Sequence, residues 1–184
     1  DRYGIQESER DKTTRPIKYV SRMAQLHVVG GTLDAMLAHL FPEMTKAELL
    51  ALKKKHATID TLAGSPRRIE RVALNILEHY NQSIRPNGTK AMIVAADRAS
   101  AVEYKNALDR LLNPEASKVV MTLNPDKDPK EWKEKYDLTE AQEKEIKERF
   151  KDPKNGLAFL IVCDKLLTGF DAPILQVMYL DQRL

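Results

Sequence analysis

Apolar and polar positions are arranged differently in the two halves of this chain. Before about residue 85 the apolar residues recur three and four positions apart, which is the spacing of amphipathic helices. After about residue 88, short and continuous apolar runs alternate with helix-like stretches. This change of pattern predicts an N-terminal arm and helical segment at residues 1–85 and an α/β domain at residues 86–184.

The first half predicts three helices behind a polar arm at residues 1–20. Apolar spacing predicts one helix at residues 32–41. A second helix is expected to begin at Thr45, where a Thr followed three positions later by Glu48 is a capping box. A third is expected to begin at Pro66, because a proline at the first helical position loses no hydrogen bond, and to continue to about Tyr80.

The second half predicts four strands with helices between them. One helix is expected to run from a capping box at Ser100 to about Leu112, and another from Thr139 to about Phe150. Continuous apolar strands that alternate with helices indicate a parallel sheet covered on both faces, as in a doubly wound α/β layer. The expected strands are residues 91–95, 118–121, 157–163 and 175–180.

Composition narrows the class of protein. A chain of 184 residues buries enough surface to fold without a disulfide or a metal. Its one cysteine, Cys163, lies within an apolar run and is expected to be a core residue, which fits a reducing, cytoplasmic setting. No apolar run approaches the roughly 18 residues of a membrane span. The chain begins with Asp1 rather than Met, so we expect a piece of a longer protein.

Most common catalytic patterns are missing from the sequence. There is no G-x-x-x-x-G-K-[ST] loop, so the chain is not expected to hold a triphosphate by itself. The four histidines are dispersed and lack the paired spacing of a metal site. The net charge of +3 permits contact with an acidic polymer but does not require it. We therefore predict neither a catalytic residue nor a metal ligand in this chain.

A short polar insert between the last two expected strands is the main candidate for function. Thr168 offers a hydroxyl and an N–H of the kind that bind phosphate oxygens, and Gly169 can bring bare backbone against a ligand. The Asp171 carboxylate can accept hydrogen bonds from two sugar hydroxyls. Phe170 is expected to anchor the insert in the core. Spacing alone leaves two readings open, a structural strand connection and a ligand-binding loop.

This insert resembles a known motif. Residues 164–173, DKLLTGFDAP, together with residues 176–181, closely resemble motif V of the motor (R) subunit of type I restriction enzymes, which are superfamily-two translocases. Residues 90–98 resemble motif IV of the same subunit. Residues 128–132 and 150–153 resemble two further segments of it. The first 60 or so residues match nothing that we can place.

The resemblance implies a fold and a set of partners. In that family two RecA-like domains close around ATP and Mg²⁺, and the first domain carries the phosphate loop and the magnesium carboxylates. This chain resembles the second domain, with motif VI expected beyond Leu184. ATP and Mg²⁺ would be held mainly by the first domain, and none is expected to be bound to this piece. The implied partners are double-stranded DNA, the first motor domain, the nuclease domain, and the methyltransferase and specificity subunits.

The resemblance also implies roles for single residues. Asp171 would bind the ribose hydroxyls of ATP, and Gly169 would let the loop approach the nucleotide. Thr168 would contact a DNA phosphate. Arg98 is a further candidate for a phosphate contact. Its neighbour Asp97 stands where the family often has a serine, and an acid there argues against phosphate binding through a hydroxyl. The other reading of Asp97 is a helix cap.

Two alternatives remain open from the sequence. The chain could be the second domain of another superfamily-two helicase, such as a repair or RNA helicase. It could also be a non-catalytic α/β scaffold module, in which case no phosphate-loop domain would precede it. In either case Trp132 is expected to be a packing residue.

Overall fold

The computed structural model describes residues 10–11, 18–20, 45–48, 50 and 66–181, except for the side chain of Arg67. The helix predicted at residues 32–41 and most of the predicted arm lie outside the described residues.

The capping box at Thr45 is confirmed. The Thr45 backbone N–H donates to the Glu48 carboxylate at 2.7 Å, and the Glu48 N–H donates to the Thr45 hydroxyl at 3.4 Å. The two hydrogen bonds satisfy N–H groups that the first turn of a helix otherwise leaves without partners.

Helices and strands alternate through the rest of the described chain. The helices are α1 (Pro66–His79), α2 (Arg98–Leu111), α3 (Glu131–Tyr136) and α4 (Glu140–Lys151). The strands are β1 (Lys90–Ala95), β2 (Ser117–Met121), β3 (Phe159–Cys163) and β4 (Leu175–Asp181). A π-helical turn, Tyr80–Ile84, and a 3₁₀ turn, Arg85–Asn87, connect α1 to β1.

The four strands form one sheet in the order β2-β3-β1-β4, and every neighbouring pair is parallel. Ile93 of β1 lies beside Ile161 of β3, which in turn lies beside Val119 of β2. Because all strands run the same way, their carboxyl ends meet at one edge. An all-parallel sheet flanked by helices confirms the predicted RecA-like α/β class.

Both faces of the three strands β1, β2 and β3 are covered. Successive side chains of a strand point to opposite faces. Ala91 and Ile93 therefore join a core cluster with residues of α1 and α2, whereas Met92 and Val94 join a second cluster with Ile146 and Phe150 of α4. Burial on both faces explains why these strands carry continuous apolar runs after their first one or two residues.

Strand β4 departs from the prediction. We expected a continuously buried apolar strand, but its side chains alternate between half-buried and exposed. Val177 and Tyr179 pack against the first cluster, while Met178 and Leu180 are 40% and 38% exposed. Among the described strands β4 pairs only with β1, so it is an edge strand with one open face.

The start of α2 also differs from the prediction. The expected capping box at Ser100 is wrong, because Asp97 is the capping residue and its carboxylate accepts from the Ser100 N–H at 2.6 Å. Ser100 lies inside the first turn, and its hydroxyl is buried without a hydrogen-bond partner among the described residues. Asp97 therefore has the helix-capping role that was one of its two expected readings.

The two remaining predicted helices are present. Within the described residues α1 spans Pro66–His79, and its residues Ile69, Ala73 and Ile76 are buried in the same core as the strands. Helix α4 begins with the capping box of Thr139 and Gln142, in which each residue bonds the backbone N–H of the other. The predicted domain boundary between residues 85 and 86 stays a prediction.

Helix α3 lies within a charged stretch of the sequence. Trp132 and Tyr136 lie on one side of it and pack against the first core cluster. Their rings meet edge to face, with centroids 6.4 Å apart. The packing role predicted for Trp132 is confirmed.

Two polar side chains, one buried and one half-buried, join the elements. Lys90 is only 4% exposed, and its ammonium donates to the backbone carbonyls of Asp152 at 2.8 Å and Asn155 at 3.1 Å. At the end of β4, Asp181 accepts from Arg68 of α1 and, at 2.6 Å, from Tyr104 of α2. Neither arrangement was predicted, since each joins residues that lie far apart in the sequence.

Candidate functional site

The carboxyl ends of β1, β2 and β3 surround a cleft of about 530 Å³. In a parallel sheet the backbone leaves the core at this edge, so the loops that follow the strands are free to hold ligands. The residues that line the cleft come from the segments after these three strands: Arg98, Thr122, Leu123, Asn124, Pro125, Cys163 and Asp164.

Arg98 contributes a cation to this cleft, and its orientation is set by Asp128. The Nε atom of Arg98 lies 3.0 Å from one carboxylate oxygen of Asp128 and 2.7 Å from the other. No described residue bonds the two terminal nitrogens of this guanidinium. An arginine held through Nε keeps both terminal nitrogens for two oxygens of an anion such as a phosphate.

Asp128 also shapes the turn after β2. Its carboxylate accepts the Asn124 backbone N–H at 2.6 Å. That hydrogen bond, together with Arg98, lowers the pKa of Asp128, and Asp128 in turn raises the pKa of Arg98. Sequence reasoning missed this residue as part of the site. The resemblance of residues 128–132 to a family segment marked its neighbourhood, but nothing in that segment reveals a partner 30 positions earlier.

Cys163 lies at the floor of the cleft and is almost fully buried, which confirms the core role expected for it. Burial is the main reason why the pKa of its thiol rises to about 11. The thiol donates weakly to the Asp164 carboxylate, with 3.6 Å between sulfur and oxygen. At neutral pH this cysteine is protonated, and only the thiolate is a good nucleophile.

The segment after β3 has an unusual backbone. It leaves the carboxyl end of β3 and returns to the amino end of β4, where the Lys90 N–H donates to the Ile174 carbonyl at 2.9 Å. Along it, Asp164, Leu166 and Gly169 have φ angles of +53°, +60° and +71°. Left-handed backbone costs free energy for residues other than glycine, so the first two positions are strained. We call residues 164–174 the crossover.

Helix α4 holds the crossover at two points. The Lys165 ammonium donates to the Glu143 carboxylate. Farther along, the Phe170 ring packs beside the Phe150 ring, with centroids 6.2 Å apart. Phe170 is half-buried against the second core cluster, so its predicted anchoring role is confirmed.

The structure separates the predicted site residues into two groups. Arg98 lines the cleft, whereas Thr168, Gly169 and Asp171 lie on the exposed crossover and do not line it. The Asp171 carboxylate receives no hydrogen bond from any described residue. A Cβ built on Gly169 would meet no atom within 4 Å, so the backbone faces open space there. Their ligand roles stay predictions.

The described residues lack both a metal-binding cluster and a membrane-spanning helix. They contain no group of three His, Cys, Asp or Glu side chains placed to hold a metal ion. Nor do they include a helix with the length and apolar character needed to cross a membrane.

Comparison with known proteins finds a family model that matches the second part of this chain. Residues 122–184 match the family described as T1R_D3-like, type I restriction enzyme subunit R domain 3. The match begins at the loop that lines the cleft and includes the whole crossover.

Curated relatives extend the match to nearly the whole chain. The HindI endonuclease subunit of the type I restriction enzyme from Haemophilus influenzae is 31% identical over 188 residues, which is 98% of this chain and 17% of that protein. Two putative type I endonuclease subunits from Methanocaldococcus jannaschii, MjaIXP and MjaVIIP, are 28% and 32% identical over 96% and 100% of this chain. The chain spans only 17% of MjaIXP and 20% of MjaVIIP. The resemblance expected from the motifs is thus confirmed, and this chain is related by sequence to one region of the R subunits of type I restriction enzymes.

Proposed function

We propose that this chain is the second RecA-like motor domain of an ATP-dependent, DNA-translocating R subunit. In this proposal the first motor domain holds the phosphates of ATP and Mg²⁺, and this domain completes the nucleotide cleft. The observation that carries the proposal is the combination of two features of one sheet. These are a cleft at its carboxyl edge that contains Arg98 and an exposed crossover that leaves this edge and carries the Asp171 carboxylate, which has no partner among the described residues.

The crossover suits a nucleotide that is held mainly by another domain. Asp171 is exposed and has no partner among the described residues, so its two oxygens can accept from two ribose hydroxyls. Open space above Gly169 lets a ligand approach the backbone. Bound ATP supplies the phosphoanhydride bond whose hydrolysis drives the motor, and the residues of this domain bind and orient its ribose.

Thr168 and Arg98 follow neighbouring strands, because β3 and β1 are adjacent in the sheet. We assign both to the phosphate backbone of double-stranded DNA, since contacts with phosphates permit movement without sequence preference. Asp128 and Asp164 lie close to Arg98 and offset part of its charge. The contact is therefore weaker than an unpaired arginine would give, and a motor needs contacts that it can release at each step.

The crossover also couples the two ligands. Thr168 and Asp171 lie three residues apart on one strained segment, so a change in the position of one changes the position of the other. Coupling of this kind requires that each ligand favour the same arrangement of the segment. We infer that closure of the two motor domains on ATP presents Thr168 to DNA, and that hydrolysis withdraws it.

Replacing Asp171 with Ala in the full-length subunit tests this proposal. The subunit is assembled with the methyltransferase and specificity subunits, and ATP turnover and movement along duplex DNA are measured. Each hydrogen bond to the charged carboxylate is worth about 1.5–3 kcal/mol, so we expect at least about a tenfold rise in KM for ATP and loss of processive movement.

The matched control is Asp126→Ala. Like Asp171, Asp126 is an exposed aspartate in a loop of this domain, and its side chain makes no ion pair within residues 66–181. It should leave both measurements near wild type. Normal ATP use and normal movement in the Asp171→Ala subunit would remove the crossover from the mechanism. Strand separation by the wild-type subunit in place of movement along intact duplex would favour the other helicase branch.

A further inference from the structure

Helix α4 carries a residue that touches no proposed ligand and yet sets the position of the crossover. Glu143 is 14% exposed and accepts hydrogen bonds from two lysines. Lys147 lies one turn along the same helix, and its ammonium is 2.6 Å from the carboxylate. Lys165 belongs to the crossover, so its ion pair with Glu143 is a contact between α4 and the segment that carries Thr168 and Asp171.

The position of Lys165 within the crossover gives this contact its importance. Its two neighbours, Asp164 and Leu166, both have left-handed backbone although neither is glycine. Such backbone persists only where surrounding contacts over-determine it. The Leu166 side chain is half-buried against the second core cluster, and Lys165 is bound to Glu143. These two contacts stabilise the strained turn from the side of α4.

Beyond this turn the chain is exposed until the next anchor. Residues 167–169 are exposed, and Phe170 returns to α4 beside Phe150. The exposed tip therefore lies between two fixed points on one helix. Thr168 lies within the tip, and Asp171 directly follows its second fixed point. Loss of the first point therefore frees the strained turn and changes how the chain approaches both residues.

We propose that Glu143 is a positioning residue, which holds Lys165 and thereby presents Asp171 to the ribose of ATP and Thr168 to a DNA phosphate. This inference rests on the proposed function. Glu143 contacts neither ligand and acts through the crossover. Its removal weakens nucleotide binding and leaves the hydrolytic step at saturating ATP little changed, because the catalytic groups are proposed to lie in the other motor domain.

The test uses the full-length subunit assembled with its partner subunits and measures KM and kcat for ATP in the presence of duplex DNA. Glu143→Gln and Lys165→Gln should each raise KM for ATP about fivefold to tenfold while kcat changes less than about twofold. Lys147→Gln is the matched control, because it removes the other ion pair of the same carboxylate without releasing the crossover. Glu145→Gln controls for loss of an exposed charge on α4. Both controls should stay within about twofold of wild type.

A charge exchange separates positioning from stability. Glu143→Lys and Lys165→Glu should each raise KM, and the double variant should recover most of the loss, because it restores an ion pair of opposite polarity. An unchanged KM in Glu143→Gln and Lys165→Gln overturns the inference, and so does a double variant no better than its parents.

The Asp171→Ala variant distinguishes failure of the inference about Glu143 from failure of the proposed function. A raised KM in Asp171→Ala together with an unchanged KM in Lys165→Gln overturns only the role of Glu143. An unchanged KM in Asp171→Ala overturns both.

Discussion

The segments that leave β1 and β3 begin side by side at one edge of the sheet but are built differently. After β1 the chain enters α2 within three residues, Asp97 caps the helix, and Asp128 holds Arg98. After β3 the chain crosses back along the sheet without a helix, through strained backbone held to α4 by side chains. The first segment is fixed by a helix cap and one ion pair, whereas the second has strained backbone that depends on tethers from a distant helix.

The difference matters for how each segment can respond to a ligand. A helix cap and a hydrogen-bonded arginine have one low-energy arrangement, so Arg98 is expected to keep its position while its contact with DNA forms and releases. A strained turn with an exposed tip has alternatives that differ little in free energy, and ligands can shift such a balance. We therefore expect the crossover, rather than the Arg98 cleft, to change position during ATP turnover.

The largest effect should come from removing the Phe150 ring against which the crossover packs. Phe150 is fully buried, and its replacement by Ala should cost about 3–5 kcal/mol. Hydrogen–deuterium exchange of α4 and β3 peptides in the full-length subunit should accelerate about 100-fold or more. Phe170→Ala removes a half-buried ring and should accelerate exchange less, mainly in the crossover. Equal effects of the two variants would contradict the tethered picture.

A smaller effect is expected at the cleft. Asp128→Ala removes the acceptor of both Arg98 and the Asn124 N–H, and losses of this kind cost about 1–3 kcal/mol. Exchange should accelerate in the turn after β2 and remain unchanged in the crossover. Asp126→Ala in the same turn is the control. Acceleration that spreads to the crossover would show that the two segments are not independent.

Glycine replacements sharpen the comparison further. Gly169→Ala should cost about 1–2 kcal/mol locally, since Gly169 has left-handed backbone although its Cβ position is empty. Gly156→Ala is matched to it, because its Cβ position is also empty but its backbone is not left-handed. Limited proteolysis of the crossover should therefore be faster in Gly169→Ala alone. The same rate in both variants would mean that backbone conformation is not what shapes the tip.

The smallest effect is expected at the ion pairs that join α4 to β2 through Glu115. Glu115 binds Lys118 of β2 and Arg149 of α4, and these partners lower its pKa from 4.5 to about 2. A carboxylate with a depressed folded pKa stabilises the fold above its unfolded pKa and loses that contribution as pH falls toward the folded pKa. Between about pH 4.5 and pH 2, Glu115→Gln should therefore flatten the fall of the thermal midpoint.

The size of this effect is limited by solvent. Glu115 is 60% exposed, so the contribution should stay below about 1 kcal/mol. If the thermal midpoints of wild type and Glu115→Gln fall equally with pH across that range, the ion pairs of Glu115 do not help to hold α4 in place. A difference larger than that limit would show a stronger role than an exposed ion pair normally has.

The sequence allowed much of the fold to be predicted, because burial leaves a direct pattern. Strands β1, β2 and β3 are covered on both faces, and their continuous apolar runs indicated a parallel sheet. The capping boxes at Thr45 and Thr139 were visible because their two partners lie within one turn. Strand β4 was misjudged, since an edge strand can be apolar and still have an open face.

The site was only partly predictable for the same reason. The motif string identified Thr168, Gly169 and Asp171 as candidates, and the capping role of Asp97 was one of two readings that local rules offered. Two ion pairs join distant parts of the chain, Arg98 with Asp128 and Glu143 with Lys165, so no spacing in the sequence predicted them. Left-handed backbone at Leu166 was equally hidden, because leucine rarely adopts it.

The open face of β4 has a practical consequence for any laboratory that produces this region by itself. Met178 and Leu180 lie on a strand whose outer N–H and C=O groups pair with no other described strand, and such an edge is a template for adding a strand from another molecule. Preparations of the isolated region should self-associate as concentration rises. A lysine at position 178, an apolar site whose side chain is already exposed, is the simplest change to keep them dispersed.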